Sequence, residues 1–121
     1  MEQSSPTAAE TEVCEARRRV EDAGNAYRPA LAAALLNLSR DYEALDRTSD
    51  ALAAARESVT VLADGFLAQP APLADAMRAS VAQYVALAQR TRSKPDAALL
   101  APIAQALGDE IVAADTSDDI P

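Results

Sequence analysis

A chain of 121 residues that is 50% apolar and carries a net charge of -8 suits one domain with its own core, and is too acidic to present the positive footprint that DNA or RNA requires. It has no histidine, which excludes a histidine general base, a serine-histidine triad and a histidine-bearing metal site; its single cysteine, Cys14, excludes an intramolecular disulfide. About a quarter of the residues are alanine and only Tyr27, Tyr42, Phe66 and Tyr84 are aromatic, so the core must form by close approach of small side chains, which favours helices.

The first dozen residues, MEQSSPTAAETE, lack apolar periodicity, and residues 1–7 are expected to be disordered. A weak stripe through Val13, Ala16 or Arg17, Val20 and Ala23 then predicts a helix over 8–23. Its RRR run at 17–19 is flanked by acids, and pairs such as Arg17 with Glu21 and Arg18 with Asp22 mark a solvated helix rather than a nucleic-acid patch. Cys14, one turn before Arg17 and Arg18, reads as a small packing residue more readily than as a reactive thiol.

Leu31, Leu35, Leu38, Tyr42 and Leu45 predict a helix over 29–46 that opens at Pro29, where a missing N–H does no harm. Thr48 and Ser49 are the expected caps of a helix over 49–67 with the stripe Leu52, Ala55, Val59, Leu62 and Phe66. Across the turn at 46–49, Tyr42 and Leu45 are expected to pack on Leu52, Ala55 and Val59. Pro72 opens a helix over 72–91, striped by Leu73, Met77, Tyr84 and Leu87 with Val81 beside them. Pro95 and Asp96 open the last, over 95–113, which Pro102 is expected to kink or split. Five of the nineteen acids fall in the last thirteen residues, and 115–121 is expected to be an acidic disordered tail, leaving 8–114 as a single domain. No segment alternates with period two for long enough to be a strand, so the fold class is all-α, with about five helices.

The chain repeats. Shifted by 42, Leu31, Ala32, Ala34, Tyr42, Ala44 and Leu45 fall on Leu73, Ala74, Ala76, Tyr84, Ala86 and Leu87; the shift then grows to 46, as if four residues were inserted in the loop RTRSKP. Gly24, Gly65 and Gly108 stand 41 and 43 apart, each near the end of a second helix, where a left-handed residue is wanted.

The stretch LLNLSRDYEALDRTSDALAAARESV resembles the tetratricopeptide repeat, in its bacterial variant of about 42 residues similar to the kinesin light chain repeats. Leu35, Leu38, Ser39, Tyr42, Ala51 and Ser58 match the family's pattern; Asp46 stands where glycine is usual, Ala55 where an aromatic is usual, and Ser80 and Val81 replace a leucine and a small residue. The resemblance implies antiparallel hairpins stacked as a short solenoid whose first helices line a groove for a protein or peptide. Ala33, Leu36, Asn37, Arg40 and Glu43 would line it from one unit, and Asp75, Arg78, Ala82 and Val85 from the next, with Leu36 and Val85 apolar yet off the core stripe. Leu36, Arg40 and Asp75 replace the lysines and asparagines with which chaperone-binding members clamp a carboxylate, so that subclass is not expected.

Asp41, Glu43, Asp46 and Asp50 read as a solvated face, and there is neither a Gly-rich phosphate loop nor a cysteine pair. The expectation is therefore a non-catalytic interaction module without cofactor or metal, an adaptor or a subunit of a larger assembly. The alternative is a structural or regulatory helical protein that acts by homo-oligomerising. The opening residues show no charged-then-apolar leader, and no apolar run approaches the roughly 18 residues that span a bilayer, so a cytoplasmic protein is expected. Ten arginines to one lysine, with so much alanine, point to a GC-rich bacterial source.

Overall fold

The computed structural model describes residues 7–118 and is an all-α stack. Helix α1 (Thr7–Ala23) passes through a 3-10 turn (Gly24–Tyr27) into α2 (Arg28–Ala44), followed by α3 (Thr48–Ala68), α4 (Pro70–Arg90) and α5 (Ala97–Asp118); no strand occurs among the described residues. Each helix packs on its successor, and α2 also meets α4, as α3 meets α5. The short connections fold successive helices back on each other as hairpins.

Two clusters fill the interior. Val13 and Ala16 of α1 pack with Leu31, Leu35 and Leu38 of α2, while Val59, Leu62 and Phe66 of α3 pack with Met77, Tyr84 and Leu87 of α4 and Ile103 of α5. Because α2 serves both clusters, Leu31, Ala32, Ala34, Leu35, Leu36, Leu38 and Ser39 are all buried. Small residues let α2 and α3 approach closely enough for reciprocal serine bridges: Ser39 Oγ donates to the Ala51 carbonyl at 2.7 Å, and Ser58 Oγ donates to the Ala32 carbonyl at 2.9 Å.

Several boundaries differ from those expected. Helix α3 begins at Thr48, and neither Thr48 nor Ser49 caps it, since its N-cap is Arg47 without a side-chain bond. Asp96 does cap α5, accepting the Leu99 N–H at 3.2 Å. Pro70, not Pro72, is the first residue of α4; it forces Gln69 into extended backbone (φ -142°), so that one residue connects α3 to α4. Pro102 does not split α5, which is continuous to Asp118 and so enters the segment expected as a tail; residues 119–121 and 1–6 lie outside those described. Cys14 is exposed rather than packed, and Arg17 pairs with Glu57 of α3 instead of Glu21.

The four extra residues of the second unit are not a loop insertion. Helix α4 has 21 residues where α2 has 17, and four residues add about one turn, so the apolar stripe simply continues through Leu87 and Ala88.

Only Gly24 takes the left-handed conformation expected of the three glycines (φ 83°); Gly65 and Gly108 lie inside helices. The left-handed residues that end α2 and α4 are instead Asp46 (φ 61°) and Arg92 (φ 58°). Both sit in the same motif: Arg47 N–H bonds Tyr42 O and Asp46 N–H bonds Glu43 O, while Ser93 N–H bonds Ala88 O and Arg92 N–H bonds Gln89 O. A side chain is strained there, so Arg92→Gly is expected to raise stability by about 1 kcal/mol and Asp46→Gly by less, since aspartate tolerates this region better. Urea midpoints check this, and a lower midpoint for Arg92→Gly would contradict the turn geometry.

Candidate functional site

Where α2 lies beside α4, the two helices leave a groove of about 280 Å³. Ala33, Leu36, Asn37 and Arg40 of α2 form one wall, Ala76 and Ser80 of α4 the other, and Leu62 of α3 lies between. The spacing 33, 36, 37, 40 is a single face of α2. Asn37 and Arg40 are exposed, and Arg40 makes no ion pair among the described residues. Leu36, expected to stand off the core, is only 9% exposed, so it belongs to both the groove and the interior.

The expected α4 wall is rotated. Asp75 and Arg78 pair with each other at 2.8 Å, Asp75 fully in solvent, and neither they, exposed Ala82 nor half-buried Val85 lines the groove. The cause is the phase of the buried stripe on α4, which runs through Ala74, Met77, Ser80, Tyr84 and Leu87 and so turns Ala76 and Ser80 toward α2. Ser80, a departure from the repeat pattern in sequence, is 1% exposed and bonds Ser58 at 2.8 Å.

Glu43 is a tie between the helices rather than a free wall residue. Gln83 Nε2 donates to Glu43 Oε1 at 2.9 Å and to Ser39 Oγ at 3.2 Å, and Arg90 Nη1 donates to Glu43 Oε2 at 2.5 Å. The bond from Gln83, joined by Arg90, holds the Glu43 carboxyl below the usual glutamate range against the opposing effect of burial. A depressed folded pKa stabilises above the unfolded value of about 4.3 and is lost as pH falls through the folded one. Glu43→Gln is therefore expected to be less stable than wild type near neutral pH, the gap closing as pH drops below about 4. A gap independent of pH would show that the charge has no part in the tie.

Past Pro29 and Leu62 the groove continues into a crevice of about 160 Å³ floored by Val61, Gly65 and Leu73, with Arg28 and Asp64 at its rim 3.9 Å apart. A Cβ on Gly65 would sit 3.4 Å from Leu73 Cδ1, at ordinary van der Waals contact across the crevice. Among the described residues no group of three or more His, Cys, Asp or Glu is placed to hold a metal ion, and no helix is long and apolar enough to cross a membrane. No protein-family model, no curated protein and no solved structure matches the chain.

Proposed function

We propose that the protein is a non-catalytic interaction module, a short tetratricopeptide-like stack that holds a protein or peptide partner in the groove between α2 and α4, acting as an adaptor or as a subunit of a larger assembly in a bacterial cytoplasm. The observation that carries this reading is the groove itself: one face of α2 presents small, apolar, amide and guanidinium groups side by side, with Arg40 free to take a partner's carboxylate. The repeat reading is supported by two hairpins that close with the same backbone motif at Asp46 and Arg92.

Because Leu36 is nearly buried, the test uses exposed wall residues. Ala33→Arg with Ala76→Arg fills the groove from both sides and keeps a good helix former at each position. The double variant is expected to keep its helical circular dichroism and to lose a partner that wild type captures from native extract. Retention of that partner by the folded variant would remove the groove from consideration.

The alternative, homo-oligomerisation, is favoured by α5. Residues 97–108 carry no charge, and Ala97, Ala98, Ala101, Pro102 and Ala104 are exposed. Sedimentation decides it: a monomer at micromolar concentration supports the partner reading, and a stable dimer supports the alternative.

A further inference from the structure

A larger cavity, about 520 Å³, shares no residue with the groove. It exists because the second hairpin differs from the first. Helix α4 is a turn longer than α2, and residues 91–96 connect α4 to α5, where 45–47 suffice between α2 and α3. The added turn and connection stand off from the first turns of α3 and leave a cleft with an apolar floor of Leu52, Ala53, Ala88 and the Tyr84 ring. Its volume lies in the range of small-ligand sites, about 300–1,000 Å³.

The polar groups of the cleft are short of an acceptor. Arg56 at its wall pairs with Asp96 at 2.8 Å, and Glu57 is neutralised by Arg17. Lys94, the chain's one lysine, makes no ion pair among the described residues and leaves the cleft with one uncompensated positive charge. Tyr84 is 4% exposed, and its hydroxyl oxygen accepts the Asp96 N–H at 2.9 Å. The hydroxyl's own proton finds no acceptor among the described residues. Because Tyr84 lines the cleft, that proton is available to an oxygen supplied by a ligand.

We infer that this cleft binds a monocarboxylate with an apolar body, the carboxylate meeting the Lys94 ammonium and the Tyr84 hydroxyl while the apolar part covers Leu52, Ala53 and Ala88. The carboxylate comes from a free small acid or from the C-terminus of a peptide, and both carry the same chemistry. Two probes separate these sources: 3-phenylpropionate and the peptide N-acetyl-Ala-Leu-Phe with a free C-terminus, each titrated to millimolar concentration against amide chemical shifts. Saturable shifts are expected at Leu52, Ala53, Ala88 and Ser93, and none with either probe as its carboxamide. The tighter of the two assigns the source.

Lys94→Gln and Tyr84→Phe are each expected to weaken binding about tenfold, the loss of one charge-assisted hydrogen bond. Lys94 is exposed in a connection and Tyr84→Phe keeps the ring, so both variants should fold. The inference is overturned if neither acid shifts these resonances, if the carboxamides bind as well, or if Lys94→Gln binds as wild type does. The groove-filling variant Ala33→Arg/Ala76→Arg should bind the probes unchanged, which keeps this result separate from that of the groove.

Discussion

Tyr84→Ala is expected to lower stability by about 3–5 kcal/mol, among the larger effects available to a single substitution. Its ring is buried in the main cluster with Met77, Leu87 and Ile103, and its hydroxyl takes the Asp96 N–H at the start of α5, so truncation opens a cavity and loosens the last helix together. Tyr42→Ala, its counterpart in the repeat, should lose only about 2 kcal/mol. Tyr42 is half-buried at the edge of both clusters; its hydroxyl donates to Glu10 of α1 at 2.6 Å, and the Arg47 guanidinium lies 4.5 Å from the ring centre. Urea melts of both variants check the ranking. Equal losses would mean that the two tyrosines share one environment, as the sequence repeat alone implies.

Ser58→Val is expected to lose about 3 kcal/mol, and Ser58→Ala about half of that. Ser58 has one hydroxyl proton and gives it to the Ala32 carbonyl, so in the 2.8 Å contact with Ser80 it is Ser80 that donates. Valine removes the second hydrogen bond of the Ala32 carbonyl, which keeps its helical N–H, leaves the Ser80 proton without this acceptor, and adds a methyl at a site with no exposed surface. Equilibrium unfolding measures both variants; a valine tolerated within a few tenths of a kcal/mol would show that α2 and α3 are not in close contact at this level.

The sequence reached furthest where side-chain period alone decides the outcome. The stripe Leu31, Leu35, Leu38 fixed α2, and Asp96 followed by alanines and leucines fixed the start of α5, because spacing and capping are local. It misjudged features set by neighbours. A four-residue insertion reads as loop when aligned against a shorter unit, yet one turn of α-helix preserves the stripe and so extends α4. Gly65 resembles a terminator because it recurs near helix ends, but α3 runs past it to Ala68 and is ended by Pro70 instead. Of the α2 wall that the resemblance to the repeat family implies, Ala33, Leu36, Asn37 and Arg40 come together and Glu43 does not, whereas the α4 wall depends on how that helix is rotated against Leu62 and Ser58. Rotation about a helix axis is a property of the packed pair, so the repeat pattern alone points to Asp75, Arg78, Ala82 and Val85 where the packed helix presents Ala76 and Ser80.

Photo-crosslinking tests the groove most directly. A photoreactive amino acid at Asn37, exposed in the α2 wall, is compared with one at Gln105, exposed on α5 outside the groove. In native extract the probe at Asn37 should form a discrete adduct with a partner, lost when Ala33→Arg and Ala76→Arg are added, while the probe at Gln105 forms none. An adduct from Gln105 with none from Asn37 would contradict the groove as the binding site and place the contact on the outer face of α5.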